Sequence, residues 1–258
     1  MRIALGIEYD GYSYAGWQKQ PGLLTVQSCL EKALASIADH EIKVFCAGRT
    51  DAGVHGVGQV VHFDTEVMRI PRAWVIGTNT HLPKSITVRW VETVANEFHA
   101  RFSAISRTYQ YVIYNTPIRS ALLAGRATWY PYQLDVKRMQ EAAHYLVGEH
   151  DFTSFRSSVC ESKSPNRNVH WIEVTRNNQL IFIKIQANAF LHHMVRNIAG
   201  TLIAIGNGAH EPDWAAAVLQ AKDRRAAAET APPHGLYLYQ VGYPPHYQFP
   251  VPFLPIFG

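Results

Sequence analysis

The chain has 258 residues, 47% of them hydrophobic and 17% charged, so a sizeable buried core is affordable and intrinsic disorder is excluded. The net charge of +4 is uneven: residues 1–103 carry 10 basic and 10 acidic side chains, whereas residues 104–258 carry 14 and 10. The excess suits a polyanionic partner; the longest apolar runs are too short to span a membrane, and Arg2 interrupts any leader core, so a soluble cytoplasmic protein is expected.

Arg2 to Tyr9 alternates, with Ile3, Leu5, Ile7 and Tyr9 on one face, and predicts a strand. Asp10 to Pro21 is a loop rich in aromatics and amides. Thr25 can cap a helix reaching about Ala38, with Val26, Leu30, Ala33, Leu34 and Ile37 at helical spacing. Strands are expected at Ile42–Ala47, Val57–Thr65 and Ser85–Val94, and a helix at Arg69–Thr78 with Pro71 in its first turn. The order β-α-β-β-α-β predicts a ferredoxin-like half over residues 1–103.

After a junction at Glu97–Ser106, a strand is expected at Arg107–Asn115 and a short edge strand at Ala127–Tyr132. Asp135 can cap a helix that Gly148 stops. A polar loop, Asp151–Asn168, leads to strands Val169–Arg176 and Gln179–Ala187, turned at Asn177 and Asn178. Apolar helices follow at Phe190–Ile205 and Pro212–Ala221, and a last strand at Leu236–Tyr243. Residues 104–243 thus form a second half of similar plan. The fold class is α+β, with antiparallel sheets flanked by helices and a cleft between the halves, where ligands favour binding. Residues 244–258, with five prolines, form a tail that cannot be a helix and wraps a surface.

The segment Gly48-Arg49-Thr50-Asp51-Ala52-Gly53-Val54-His55 concentrates two glycines, a cation, a hydroxyl, a carboxylate and an imidazole between two apolar strands. Such loops carry function more often than their flanks do. Asp51 can be a turn aspartate bonding local amides. Arg49, two residues away, can instead hold it ionised, and an oriented carboxylate can act as nucleophile or base. Arg196 lies on an apolar helix. It can be a surface arginine whose stem packs on the helix while its head reaches water; a buried arginine there instead needs an anion, and no acid occurs between Lys184 and Glu211, so Asp51 is a candidate partner. Tyr109 can be a cross-strand core residue or a platform that stacks a base. The stretch from Phe98 to Arg101 and the loop 157–168 can be solvated loops or can offer phosphate contacts.

No metal site is expected, although there are 13 histidines: His192 and His193 are adjacent, which on a helix sends them to different sides, and no acid lies beside them. The three cysteines form no Cys-x-x-Cys pair, so neither a disulfide framework nor a zinc ribbon is indicated. No Walker loop or Gly-x-Gly-x-x-Gly turn is present, so no nucleotide cofactor is expected.

The blocks YDGYSYAGWQKQ, TVQSCLEKAL, AGRTDAGVHGVGQVVHF, NTHLP, FHARFSAISRTYQYVIYN, HDFTSF, ANAFLHHMVRNIAGTL and APPHGLYLYQVGYP occur in this order between Ile7 and about Tyr243. In these blocks the chain resembles the tRNA pseudouridine synthase A family. The resemblance implies a pseudouridine synthase fold that converts uridine to pseudouridine at positions 38, 39 and 40 of the tRNA anticodon stem-loop. It implies no metal or organic cofactor and a homodimer. It makes Asp51 the covalent nucleophile, Arg49 the base-flipping residue, Tyr109 the group stacked on the uracil and Arg196 the partner of the aspartate. It places RNA contacts on Phe98, His99, Ala100, Arg101 and Phe102, and one on Arg69. Gly56 stands where alanine is usual, a small-for-small exchange expected to be neutral. Competing readings are a non-catalytic RNA-binding module and a small-molecule hydrolase using Asp51 with His55 or His62.

Overall fold

The computed structural model describes residues 1–160 and 162–252. The chain forms two compact units, Met1–Ile105 with Tyr237–Gly258, and Ser106–Leu236. Of the expected tail, residues 253–258 lie outside the described residues.

In the first unit, β1 (Arg2–Tyr9) lies between β4 (Ile86–Val94) and β3 (His55–Asp64), antiparallel to both. The two-residue β2 (Phe45–Cys46) pairs antiparallel with β3. The register opposes Ile3 to Phe63 and Leu5 to Val61. The alternation of β1 therefore puts Ile3, Leu5, Ile7 and Tyr9 into one core with Val26, Leu30 and Leu34 of α1 (Val26–Ala38), Trp17 and Trp74. Each such large side chain contributes about 1.5–3 kcal/mol. Thr25 starts α1 with a capping box: its side chain accepts the Ser28 N–H, and the Ser28 side chain accepts the Thr25 N–H.

Two elements differ from the sequence expectation. The strand expected at Ile42–Ala47 shrinks to β2 because Val44 gives its N–H to the Glu31 carboxylate on α1 rather than to a strand. The helix expected at Arg69–Thr78 lies later. It runs from Pro71 through a π segment, Ala73–Gly77, into α2 (Thr78–His81). Asn79 bonds both the N–H and the C=O of Val88 on β4, which ties this end of the helix to the sheet.

The second unit has the antiparallel order β5-β9-β8-β7, comprising β5 (Ser106–Asn115), β7 (Gly148–Asp151), β8 (Asn166–Asn177) and β9 (Leu180–Ala187). The short β6 (Thr128–Tyr130) runs parallel to β5. Asp135 caps α3 (Val136–His144) by accepting the Lys137 and Arg138 N–H groups. Strand β7, for which the sequence reading has no counterpart, forms just before the expected loop because Glu149 and His150 pair with Asn168 and Arg167. The helix expected from Phe190 begins only at Met194, as α4 (Met194–Gly206), and α5 spans Trp214–Ala221. The last strand, β10 (Leu236–Gly242), pairs through Tyr237 and Leu238, parallel, with β3. Past it, Phe249 of the tail stacks on Trp90 of β4.

Candidate active site

The loop 48–55 is fastened along its length. At its start, the fully buried Gln59 of β3 spans the Gly48 peptide: Nε2 donates to the Gly48 carbonyl at 2.6 Å and Oε1 accepts its N–H at 3.4 Å. At its middle, the Tyr9 hydroxyl meets Thr50 Oγ1 at 2.8 Å. Trp17 donates its N–H to the Thr50 carbonyl, and Gly53 donates its own to the Tyr14 carbonyl. At its end, His55 is buried, and its Nδ1 accepts the Gly11 N–H at 3.0 Å.

The segment Asp10–Pro21 is thus the second layer of this loop. It is anchored in turn by the start of α1, where Val26 and Gln27 donate to the carbonyls of Gly16 and Trp17. Gly16 has φ +95°, and a Cβ there would lie 2.9 Å from the Thr50 carbonyl oxygen. Only glycine allows that approach. Asp51, between these anchors, is half-buried, and Arg49 is exposed. An expectation fails next door. A Cβ at Gly56 would lie 2.5 Å from the Tyr9 ring, so alanine cannot enter without moving the ring that holds Thr50.

Arg196 and Tyr109 lie in the second unit. Arg196 is half-buried on α4, and its Nε donates to the Ala231 carbonyl at 2.8 Å. Ala231 returns its N–H to the Arg196 carbonyl. The neighbouring Pro232 carbonyl accepts the hydroxyl of the buried Tyr111, whose phenol burial holds well above its usual range. The segment 230–232 is held in place by the fully buried Asn197, whose Oδ1 accepts from Thr230 and Arg224 while its Nδ2 donates to the Phe155 carbonyl. Tyr109, half-buried on β5, packs edge-on against Phe190 at 5.0 Å.

His192 and His193 do not diverge around a helix as expected. They lie in the turn before α4, with His193 at φ +63°, and their rings are 4.0 Å apart. The turn forms because Met194 donates to the Leu191 carbonyl and Ser157 to that of His192.

The family described as tRNA pseudouridine synthase matches residues 6–103 and 142–244. This chain belongs to that family. Curated relatives named tRNA pseudouridine synthase A include those of Legionella pneumophila (57% identity, 95% of this chain and 93% of theirs), Coxiella burnetii strain Dugway (54%, 99% and 98%) and Photobacterium profundum (56%, 100% and 99%).

The family match includes Arg49, Asp51, Arg69, the segment 98–102 and Arg196, whereas Tyr109 falls between the two matched stretches. Within the segment 98–102, Phe98 and Ala100 are fully buried, Phe98 against Tyr243, Tyr247 and Phe249. They form the base from which Arg101 and the 76% exposed Phe102 face outward, while the half-buried His99 packs against His62 and Phe45. Arg101 lies over the Phe102 ring at 5.6 Å. Arg69 is exposed and bonds the Ile37 carbonyl at the end of α1.

The imidazoles invoked by the hydrolase reading are engaged in the fold. His55 accepts from Gly11, and the buried His62 accepts the Ala100 N–H at 3.1 Å. Burial, then the charges of His99 and Arg2, lowers the His62 pKa to about 4. Sequence reasoning missed Gln59 and Asn197. The available signal was a polar side chain inside an apolar run in each case.

Proposed function

We propose that this protein converts uridine to pseudouridine in tRNA, at positions 38, 39 and 40 of the anticodon stem-loop, with Asp51 as the covalent nucleophile. The carrying observation is a half-buried carboxylate in a loop fixed by buried partners, within a chain of the tRNA pseudouridine synthase family. The reaction breaks the bond from C1′ to N1 and forms one from C1′ to C5. The C5 proton leaves and N1 gains one, so no atom is lost and no oxidant is needed. Attack of the carboxylate on uracil C6 or on ribose C1′ meets that balance equally.

In this reading the units are two ferredoxin-like halves, residues 1–103 and 104–243, with the tail 244–258 apart and the site in the cleft between the halves. The antiparallel placement of β1 between β4 and β3, with β2 beyond β3, supports the first of them. Arg196 pairs with Asp51, and its fixed guanidinium suits that task. Tyr109 stacks on the uracil. Extruding the target base costs a few kcal/mol, which Arg49 offsets by filling the vacancy. Arg69, His99, Arg101 and Phe102 contact the RNA, with Phe98 and Ala100 placing them. The protein acts as a cytoplasmic homodimer without a metal or organic cofactor.

The test uses tRNA tritiated at uracil C5. Wild type is expected to release tritium, whereas Asp51→Ala binds the tRNA and releases none. Comparable release by Asp51→Ala removes the nucleophile, and tRNA binding without release by wild type leaves only an RNA-binding protein.

A further inference from the structure

We infer that His55 is a positioning residue for Asp51, acting as a hydrogen-bond acceptor rather than as an acid or base. This rests on the reading of Asp51 as nucleophile. His55 closes the loop 48–55 and opens β3, and the residue is 1% exposed. Its ring stacks on Tyr237 of β10 at 4.6 Å and 20° between planes, which fixes the direction of both nitrogens. Nδ1 takes the N–H of Gly11, the second residue after β1, in a buried bond of 3.0 Å. The same Nδ1 lies 3.2 Å from Asp10 Oδ1. One nitrogen cannot accept from Gly11 and donate to Asp10 at once. The amide is buried and the carboxylate half-exposed, so the acceptor role, with the proton on Nε2, is the one the fold depends on.

The consequence reaches Asp51 through the chain. Gly11 begins the segment whose Tyr14, Gly16 and Trp17 press on Thr50, Asp51 and Gly53. An unsatisfied Gly11 N–H in a buried place draws water or moves the segment, and either releases the Trp17 bond to Thr50 and the Tyr14 bond to Gly53. A nucleophile on a loosened loop loses turnover without losing RNA affinity, because the surface bearing His99, Arg101 and Phe102 hangs from a different segment.

Three proteins separate this role from mere packing: His55→Ala, His55→Leu and His55→Asn. The asparagine amide oxygen can occupy the place of Nδ1, whereas leucine fills space without an acceptor. The expected result is a fall in kcat of about 10- to 100-fold in His55→Ala and His55→Leu with KM for tRNA held within about threefold. His55→Asn should restore most of the kcat. Equal kcat in His55→Asn and His55→Leu, or unchanged kcat in His55→Ala, overturns the proposal. Amide hydrogen exchange gives a reading independent of catalysis. Faster exchange over residues 11–17 and 50–53 is expected in His55→Leu but not in His55→Asn. Identical exchange in the two refutes the positioning role even if the wild type makes no pseudouridine, which would separately refute the function.

Discussion

Asp51 sits in a loop fastened by Gln59, Trp17 and Tyr14 at its backbone and by Tyr9 and Gly11 at the side chains of Thr50 and His55, whereas Arg196 sits on a regular helix and is fastened at its far end, by the Nε bond to Ala231. The difference follows from side-chain length. An aspartate has one methylene, so its carboxylate goes where its backbone goes and the loop must be rigid. An arginine on a well-formed helix still carries several free torsions, so only a bond at the guanidinium sets its direction. The supports differ accordingly. Those of Asp51 are spread over neighbouring segments of the first unit. Those of Arg196 converge on one strip, residues 230–232, held by Asn197.

The largest effect that bears on this contrast is at Arg196 itself. Arg196→Ala is expected to lower turnover by about 100-fold or more, the scale of losing a preorganised charged group. Arg196→Lys is expected to restore little, since lysine has no Nε–H and loses the Ala231 anchor. Near-normal turnover in either variant breaks the comparison, because end-fixing would then be irrelevant. Asn197→Ala comes next. It strips partners from the Phe155 carbonyl, Arg224 and Thr230 at a fully buried point, and a loss of about 2–4 kcal/mol is expected from urea unfolding. Turnover should fall as well, though less than in Arg196→Ala, since the helix remains while the strip 230–232 shifts. A stable Asn197→Ala protein would show that the strip is held elsewhere.

On the other side of the comparison stands Gln59→Leu. Leucine fills the volume but strands the Gly48 N–H and C=O, so about 1–3 kcal/mol of stability should be lost. Because Gln59 holds only Gly48, while Tyr9 and Trp17 hold Thr50 beside Asp51, turnover should fall less than in His55→Ala. A collapse of activity matching that of Asp51→Ala would mean that one clamp, not many, positions the loop that carries Asp51.

Much of this was legible in the residues. The alternation of β1, the Thr25 cap and the Asp135 cap each rest on local chemistry, and each element formed where that chemistry put it. The errors arose where a distant partner decided. Val44 is strand-like by its neighbours but is claimed by Glu31, and Phe190–His193 are helix-like by hydropathy but are held in a turn by the bond from Ser157 to the His192 carbonyl. The same holds for Gly56. Its exchange with alanine looks neutral in sequence, and only the nearness of Tyr9 across the register of β1 and β3 makes it costly. Arg49 and Asp51 stood out as candidates because the loop 48–55 compresses several polar groups into eight positions. Their supports, Gln59 and Asn197, were not, because what they hold lies up to about forty residues away in the chain.

The smallest expected effect concerns the floor beneath the segment 98–102. His62 accepts the Ala100 N–H and is ringed by His99, Phe45 and Phe98, with Arg2 and Asp64 as the charged neighbours. In the unfolded chain its imidazole takes a proton near pH 6.5, and in the fold only near 4. Between those values unfolding takes up a proton, so this contribution to stability is complete above about pH 6.5 and declines as the pH falls towards 4. Protonation of Nδ1 would also cancel the bond from Ala100, which unseats the base under Arg101 and Phe102. Denaturant unfolding from pH 7.5 to 4 should therefore show a decline that His62→Gln flattens, with turnover per bound tRNA changing less than tRNA affinity. An unaltered slope in His62→Gln would assign the acid sensitivity to groups other than this histidine.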